Sequence, residues 1–220
     1  MAEEARGLRM NTFIHPMTRL MKRTIDITGA LIGLLITAPI LPVLAIIIKI
    51  TSPGPVIYKQ CRVGLVTENK IRTFNMYKFR SMHNDAEKKT GAVWATENDP
   101  RLTAIGKFMR KTRLDEIPQF INVLKGDMSL IGPRPERPGI AHNLEDQIPF
   151  YLERTYGIIP GITGLAQVHQ GYDETIDDVR NKLNYDLAYS LSMSKPLAWL
   201  RMECRIIFKT IWVMFCGRGQ

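Results

Sequence analysis

The sequence has little of what disulfide-stapled or zinc-binding proteins depend on. It holds three cysteines, Cys61, Cys204 and Cys216, and no two of them have the Cys-x-x-Cys spacing. An odd, scattered set of this kind argues against a disulfide framework and against a zinc site, and it fits a reducing compartment. The four histidines are also scattered singly, without the spacing of a metal-binding motif.

The chain also lacks internal repeats and an excess of acidic residues. Lysine and arginine number 30 against 21 aspartates and glutamates, which gives a net charge of +9 and a pI near 9.6. This balance favours polyanionic partners, namely nucleic acid, anionic lipid headgroups or phosphorylated substrates, and charge alone does not separate them. With 220 residues, 45% hydrophobic and 23% charged, the chain suits one globular domain and is too polar for a polytopic membrane protein.

One long hydrophobic run, residues 29–48, has no charged residue, and Thr37 is its only polar side chain. Its length of about 20 residues matches a bilayer-spanning helix, and it is too long for a cleaved secretory signal. A buried core helix is the alternative, although a soluble helix of this length normally shows a polar stripe. Pro39 and Pro42 lie near its centre, where a proline removes a backbone donor and bends the helix.

The flanks of this run carry positive charge on both sides. Arg19, Lys22 and Arg23 precede it, and Lys49, Lys59 and Arg62 follow it. Because positive charge favours the cytoplasmic side, both ends are expected there. We therefore predict a re-entrant helix over residues 19–52 that enters the membrane, bends at the prolines and returns.

The C-terminal stretch, residues 196–216, is predicted to be an amphipathic helix. Arg201, Arg205 and Lys209 recur every four residues and so lie along one helix face. The neighbouring face is apolar and comprises Leu197, Leu200, Cys204, Ile207, Ile211 and Met214, with Trp199 and Trp212 near the two ends. This pattern is typical of a helix lying in the membrane interface. An ordinary core helix with a solvated basic edge explains the pattern equally well.

Residues 53–195 have the pattern of a compact helix-rich α+β domain, set between a tail (residues 1–18), the predicted re-entrant helix and residues 196–220. Two short strands, residues 56–60 and 71–77, are predicted to pair as a hairpin around Gly64. Helices are expected over residues 102–110, 116–124, 143–153 and 177–189, and residues 82–98 are expected to form a loop or a short helix. Basic and aromatic residues alternate over residues 70–82, a pattern that could also indicate stacking on nucleic acid.

The residues with the clearest chemical potential lie in the stretch 110–137. Asp115 and Glu116 are adjacent among basic residues, and Arg134 stands between Pro133 and Pro135. Thr112 and Asp115 have capping-box spacing, so a helix-capping carboxylate is the simpler interpretation of Asp115. The alternative is phosphate chemistry: a carboxylate can attack phosphorus, Mg²⁺ can bridge carboxylates and phosphates, and an arginine fork matches phosphate oxygens.

Several long motifs make the chain resemble a known family. They are LDEIPQFINVLKGDMSLIGPRP (114–135), YKFRSM (77–82), NDPRLTAIGKFMRKTRLDE (98–116) and PGITGLAQV (160–168). Together they resemble the bacterial sugar transferases, also known as monotopic phosphoglycosyl transferases, in their minimal catalytic form. The similarity runs from Lys22 to Phe215, and it includes the hydrophobic segment before the domain.

The resemblance implies a reaction and roles for five residues. A sugar 1-phosphate would pass from a UDP-sugar to undecaprenyl (polyprenyl) phosphate, with release of UMP, as the first membrane step of glycoconjugate synthesis. Asp115 would be the nucleophile of a ping-pong mechanism, and Glu116 would assist as a metal ligand or proton acceptor. Arg134, Lys78 and Arg110 would bind phosphate.

The resemblance also implies a cofactor, partners and a location. Mg²⁺ would be the cofactor, held by Asp115 and Glu116. The chain would work at the cytoplasmic face of a bacterial inner membrane, without nucleic acid, and pairing of two copies is a candidate association.

Three positions depart from the family pattern. Ala38 precedes Pro39 where the family often has serine, so Thr37 or Pro42 is expected to help shape the bend. Leu165 replaces a frequent tryptophan, and HQGYDET (169–175) replaces a common Asn-Gly-Arg segment. The transferred sugar is therefore not predicted. Two other functions stay open: a non-catalytic basic protein of the membrane surface, and an enzyme that transfers the sugar alone and releases the nucleoside diphosphate.

Overall fold

The computed structural model describes residues 13–83, 86, 99–171 and 175–215, and it confirms a helix-rich α+β fold. The α-helices are α1 (Pro16–Thr37), α2 (Ile40–Thr51), α3 (Ala104–Lys111), α4 (Gln119–Lys125), α5 (Pro138–Gln147), α6 (Leu165–His169), α7 (Ile176–Ser192) and α8 (Pro196–Phe215). The strands are β1 (Ile57–Thr67), β2 (Lys70–Phe79), β3 (Ser129–Ile131) and β4 (Gly161–Thr163). Two 3₁₀ turns complete the described elements, Leu114–Glu116 and Tyr151–Thr155. Nearly all of the predicted loop 82–98 lies outside the described residues.

Helices α1 and α2 meet at a bend of 66°. The break falls at Ala38 and Pro39, as the missing N–H of Pro39 predicts. Thr37 contributes as expected: its hydroxyl donates to the Gly33 carbonyl at 2.7 Å, a bond of a kind that often bends helices. Pro42 lies in the first turn of α2, where a backbone N–H has no intrahelical partner to lose. Pro39, and not Pro42, therefore produces the bend.

The bent pair presents one face to the domain and the other to the outside. Leu44 and Ile48 of α2 pack against Phe79, Met109 and Ile117. The opposite side carries a continuous set of exposed apolar side chains, Leu31, Ile32, Leu35, Ile36, Ile40, Val43, Ile46 and Ile50. A helix buried in a protein core would not have this set. No single helix in the described ranges is long and apolar enough to cross a membrane, whereas α1 and α2 taken together meet that criterion.

The first half of α1 is fastened to the domain by charged side chains. The Arg23 guanidinium donates to the carbonyls of Val123 (2.7 Å) and Leu124 (2.8 Å) at the end of α4. Asp26 Oδ1 accepts from the Ser129 hydroxyl and from the Leu130 N–H, each at 2.9 Å. These bonds orient the bent pair relative to α4 and β3, so Arg23, one of the basic residues from which the topology was inferred, also holds the fold together.

The hairpin forms, but its turn is not where the sequence predicted it. Strands β1 and β2 pair antiparallel from Ile57 opposite Phe79 to Thr67 opposite Lys70, so residues 68 and 69 make the turn. Gly64 lies inside β1, at an irregularity between Val63 and Val66. A side chain there would crowd the Phe74 ring, and a glycine in a strand is also typical of a bulge. The prediction of a turn at Gly64 was therefore wrong. A short parallel pair, β3 with β4, lies elsewhere in the domain.

Helix α8 has the two faces that the competing predictions described. Its exposed face includes Leu197, Ile207, Phe208, Ile211 and Trp212, and Arg201 and Arg205 are exposed as well. Its inner face packs into the core through Trp199 and Ile206. The prediction that Trp199 lies at the membrane interface was wrong. Its side chain is fully buried, and its indole N–H donates to Glu203 Oε1 at 3.0 Å.

A buried group that we name the Glu203 cluster joins α1, α7 and α8. Its members are Lys22, Tyr189, Trp199 and Glu203, all of them buried. Glu203 Oε1 accepts from Lys22 Nζ at 3.1 Å, from the Tyr189 hydroxyl at 2.6 Å and from Trp199. The cluster links the start of the bent pair to the C-terminal helix.

Candidate active site

A cavity of about 330 Å³ opens beside the hairpin and brings together side chains from distant parts of the chain. Its lining is rich in basic residues, namely Arg62, Lys78, Arg80, Arg101, Arg110, Arg113, Arg134, Arg137, Arg154 and Lys182. The acidic residues of the same lining are Asp115, Glu116, Glu136 and Asp186. A concave site with this excess of positive charge favours a ligand that carries phosphate.

Asp115 and Glu116 are presented by a 3₁₀ turn and not by the start of an α-helix. Arg113 adopts a left-handed conformation (φ 57°) between α3 and this turn. The Thr112 hydroxyl donates to the Phe108 carbonyl at 2.9 Å and so belongs to the end of α3. The capping-box interpretation of Asp115 was wrong for this reason. Since α4 begins at Gln119, the helix predicted over residues 116–124 starts later than expected.

Glu116 is buried among three cations. Its side chain lies 3.1 Å from Lys78 Nζ through Oε1, 3.5 Å from Arg134 Nη2 through Oε1, and 3.5 Å from Arg113 Nη1 through Oε2. Burial alone would raise the pKa of Glu116, but Lys78, Arg134 and Arg113 hold it well below its usual range. Glu116 is therefore ionised at any physiological pH.

Asp115 has the opposite environment although it is the adjacent residue. It is only 4% exposed, and no hydrogen bond or ion pair joins its carboxylate to any residue in the described part of the chain. Burial raises the pKa of Asp115 to about 6; Lys78 opposes this shift, and the charge of Glu116 adds to it. Two neighbouring carboxyls thus have pKa values pushed apart by their surroundings, an arrangement that is frequent at catalytic sites.

All five residues singled out from the sequence line this cavity. Lys78 and Arg134 contact Glu116 directly. Arg110 contributes from α3, where its Nε donates to the Ser81 hydroxyl at 3.2 Å, and its charge acts on Asp115. The structure thus brings together the five residues that the sequence singled out, whereas the pairing of Glu116 with three cations required the structure.

Sequence reasoning missed Asn122, which helps to place Lys78. The Asn122 side chain is fully buried, accepts from the Tyr77 N–H at 2.9 Å and donates to the Asn75 carbonyl at 2.8 Å. These bonds hold β2 against α4 next to the residue that pairs with Glu116. The available signal was an amide among the apolar residues of the predicted helix, since a buried polar side chain requires specific partners.

The loop that carries Arg134 is held through its backbone. Gly132 N–H donates to the Thr163 carbonyl at 2.9 Å, and the Pro133 carbonyl accepts from Gly161 N–H at 2.9 Å. The Arg134 carbonyl accepts from Arg154 Nη2 at 2.8 Å, and the Pro135 carbonyl accepts from Arg62 Nη1 at 3.0 Å. The Glu136 carbonyl accepts from the Val63 N–H at 2.8 Å. Arg62 and Arg154 were not among the predicted site residues.

The described residues contain no group of three or more histidine, cysteine, aspartate or glutamate side chains that could hold a metal ion by themselves. A magnesium ion needs fewer protein ligands when a substrate supplies phosphate oxygens. Both Glu116 oxygens already face cations, while the Asp115 carboxylate is not engaged in this way. Asp115 and Glu116, together named the dyad, thus fit a metal ion that is shared with a phosphate ligand. The Asp115 carboxylate could bind this ion more readily than the Glu116 carboxylate could.

Comparison with known proteins agrees with the geometry. A family model described as bacterial sugar transferase matches residues 17–217. The chain is 44% identical over 204 residues to a UDP-N-acetylgalactosamine-undecaprenyl-phosphate N-acetylgalactosaminephosphotransferase of Aeromonas hydrophila, covering 93% of this chain and 46% of that protein. It is 38% identical over 213 residues to a UDP-glucose:undecaprenyl-phosphate glucose-1-phosphate transferase of Escherichia coli (95% and 43%).

A third relative has nearly the length of this chain. It is the exopolysaccharide production protein PSS of Rhizobium leguminosarum, 38% identical over 200 residues that cover 89% of this chain and 95% of that protein. The chain thus spans less than half the length of the first two relatives and almost all of the third. Residues 17–217, which the family model matches, include the whole described lining of the cavity.

Proposed function

The chain belongs to the bacterial sugar transferase family, and from this premise we propose that it moves a sugar 1-phosphate from a UDP-sugar to undecaprenyl phosphate and releases UMP. The observation that carries the proposal is the contrast between Asp115 and Glu116: Asp115 is buried and forms no hydrogen bond or ion pair with another described residue, whereas the adjacent Glu116 is paired with three cations. A buried carboxylate without partners has lone pairs available for a ligand that enters the cavity.

In the proposed first step, a carboxylate oxygen of Asp115 attacks the phosphorus that bears the sugar. The new O–P bond forms an acyl phosphate, and the bond from this phosphorus to the bridging diphosphate oxygen breaks, so that the oxygen and its electron pair leave with UMP. In the second step an oxygen of the lipid phosphate attacks the same phosphorus and frees the Asp115 carboxylate. A two-step route of this kind replaces one difficult displacement with two easier ones.

The cations around the dyad would stabilise the diphosphate. Arg134 and Arg110 present planar forks suited to phosphate oxygens, and Lys78 supplies a point charge within 3.1 Å of Glu116. Glu116 keeps Lys78 and Arg134 directed toward the dyad when no substrate is bound. Magnesium, held by Asp115 and Glu116 together with substrate oxygens, would neutralise negative charge that develops on the diphosphate.

The proposed location is the cytoplasmic face of the membrane, with the bent α1–α2 pair entering the bilayer and returning. Support comes from the exposed apolar side of the pair, its 66° bend and the exposed apolar and basic side chains of α8. In a cysteine-free variant, Met17→Cys and Thr51→Cys should both react with a membrane-impermeant reagent only from the cytoplasmic side. Reaction from opposite sides would show that the pair spans the membrane.

A donor panel tests the reaction. UDP-N-acetylgalactosamine and UDP-glucose, the donors in the names of two relatives, would head the panel, with release of UMP as the readout in the presence of undecaprenyl phosphate and Mg²⁺. Without the lipid, intact-mass measurement should detect protein heavier by one sugar phosphate. Asp115→Asn should show no such adduct, whereas Asp146→Asn, an exposed aspartate outside the cavity, should form it normally.

The same assay separates the other functions. Release of UDP in place of UMP would show transfer of the sugar alone. Binding to liposomes without consumption of any nucleotide sugar would favour a non-catalytic membrane-surface protein.

A further inference from the structure

In the loop 132–136, the four consecutive carbonyls from Pro133 to Glu136 each accept a hydrogen bond from outside the loop. Two of these donors are arginine side chains: Arg154 binds the Arg134 carbonyl and Arg62 binds the Pro135 carbonyl. The two hydrogen bonds therefore hold in place the peptide units before and after Pro135. Arginine donors at consecutive carbonyls fix the path of a loop in a way that a single bond does not.

Arg154 is the more deeply buried of the two, with 6% exposure. Its Nη1 pairs with Asp186 Oδ2 on α7 at 2.5 Å, while its Nη2 donates to the Arg134 carbonyl at 2.8 Å. The Tyr151 ring lies 4.7 Å from the guanidinium carbon. With one end held by α7 and the ring of Tyr151 beside it, Arg154 is a fixed donor for the loop.

Arg62 reaches the loop from β1. Its Nη1 donates to the Pro135 carbonyl at 3.0 Å, and its Nη2 and Nε donate to Gln60 Oε1 at 2.6 and 3.1 Å. The next residue, Val63, donates its backbone N–H to the Glu136 carbonyl at 2.8 Å. Strand β1 thus holds two consecutive peptide units of the loop.

The Arg134 side chain itself is far less enclosed. It is 38% exposed, and its Nη2 lies 3.5 Å from Glu116 Oε1 at the edge of the cavity. The reach of this guanidinium into the cavity depends on where the backbone places its Cα, and the prolines on both sides restrict that backbone further. Any donor that fixes the position of the loop therefore also influences the position of the Arg134 guanidinium.

We propose that Arg62 and Arg154 are positioning residues, which act through the loop 132–136 to set the Arg134 guanidinium for the diphosphate of the donor. The proposal rests on the proposed function, since it presumes that Arg134 binds substrate phosphate. It differs from direct binding, in which the two arginines would contact the substrate independently of Arg134.

A double-mutant cycle tests the proposal. Lysine keeps the positive charge beside Asp186 or within reach of Gln60, but it lacks the second arm that also reaches the loop carbonyl. Arg154→Lys and Arg62→Lys should each lower kcat/KM for the UDP-sugar about tenfold, because small displacements of a binding group are costly. In an Arg134→Ala background each change should cost less than about twofold, because the group that they position is gone.

A second readout covers variants whose turnover is too slow to measure. In an Asp115→Asn background, the Kd of the UDP-sugar should rise with Arg154→Lys or Arg62→Lys and should not rise further when Arg134→Ala is already present. Arg180→Lys, on the exposed side of α7 and paired with Asp177, is the matched control and should change neither quantity. Apparent melting temperatures establish that each variant is folded.

The outcomes separate the two proposals. Equal losses with and without Arg134 would overturn positioning and show that Arg62 and Arg154 contact substrate or serve the fold in general. A fully active Arg134→Ala protein would remove the phosphate role of Arg134 and positioning with it. Wild-type protein that never releases UMP would instead overturn the proposed function.

Discussion

The Glu203 cluster and the Asp115–Glu116 dyad are two sets of buried charge in one small protein, and they are satisfied in opposite ways. In the Glu203 cluster one carboxylate oxygen accepts from Lys22, Tyr189 and Trp199, and the group joins three helices. None of its members lines the described cavity. Lys22, Tyr189 and Trp199 each donate to Glu203, so the cluster is typical of a polar group that stabilises the packing of helices.

The dyad begins in the same way and then departs from it. Glu116 is paired as thoroughly as Glu203, with three cations around one carboxylate. Asp115, next to it, is also buried, but no hydrogen bond or ion pair joins its carboxylate to another of the described residues, and its pKa is raised to about 6. The comparison teaches that burial of charge does not by itself indicate function. The feature that indicates function is a buried carboxylate whose oxygens accept no hydrogen bond from the described residues and can therefore bind a ligand.

The largest loss of activity is expected from a substitution of Asp115. Asp115→Asn removes the attacking carboxylate while it keeps the size of the side chain, so kcat for UMP release should fall by at least about 10³-fold. The measurement is steady-state UMP release with undecaprenyl phosphate and Mg²⁺. An Asp115→Asn protein with near-normal kcat would contradict the nucleophile assignment.

A substitution of Glu203 is expected to lower stability and to leave activity nearly unchanged. Glu203→Gln leaves the buried Lys22 ammonium without a counter-charge, and loss of one partner of a buried pair costs about 3–5 kcal/mol of unfolding free energy. The apparent melting temperature in a fixed detergent should fall markedly, while kcat/KM measured well below that temperature should stay within about threefold of wild type.

Asp177→Ala provides the control for Glu203→Gln because it breaks an exposed ion pair with Arg180, which should cost well under about 1 kcal/mol. If Glu203→Gln instead left stability unchanged and abolished activity, the division between a structural cluster and a catalytic dyad would be lost.

Much of the fold could be predicted because local chemistry dictates it. Pro39 lacks a backbone donor, so a bend at that residue follows whatever the helix packs against. The hairpin follows from two β-rich stretches, although Gly64 misled the placement of its turn because glycine serves bulges as well as turns. The adjacent Asp115 and Glu116, with Arg134 between prolines, marked the candidate site for the same reason: the side-chain types themselves indicate phosphate chemistry.

What could not be predicted depends on contacts between distant residues. Trp199 has the sequence signature of an interfacial residue, but Glu203, one turn later, provides a buried acceptor that draws it into the core. The role of Arg154 could not be predicted from its sequence neighbours, because its hydrogen-bond partners, Asp186 and the Arg134 carbonyl, come from elsewhere in the chain. The unequal surroundings of Asp115 and Glu116 also depend on β2 and on the loop 132–136, which are remote in sequence.

A third expected effect concerns stability, which Asp115→Asn should raise and Glu203→Gln should lower. The pKa of Asp115 is raised on folding, so folding favours its protonated form, and this contribution to stability is present below the unfolded pKa near 4 and lost as pH rises through 6. At pH 7.5 Asp115→Asn should therefore raise the free energy of unfolding, by about 1–3 kcal/mol. The gain over wild type should shrink toward pH 4, as followed by chemical denaturation in detergent. A destabilised Asp115→Asn protein would mean that Asp115 is paired in the folded state, as Glu203 is.

The smallest expected effect is a pH dependence that only one of the two buried groups should produce. An Asp115 nucleophile must be ionised, and its pKa without bound Mg²⁺ is raised to about 6, so at limiting Mg²⁺ the single-turnover rate of UMP release should be level above pH 7 and fall about tenfold per unit below pH 6. Glu116 stays ionised throughout because its three cations hold its pKa low. Glu203→Gln, measured at a temperature where it is folded, should keep the same profile, since Glu203 lies outside the cavity lining. A rate that stayed level to pH 5 would mean that the protein stabilises the charged form of Asp115. Asp115 would then resemble the paired carboxylate of Glu203, and the proposed difference between the two sites would be wrong.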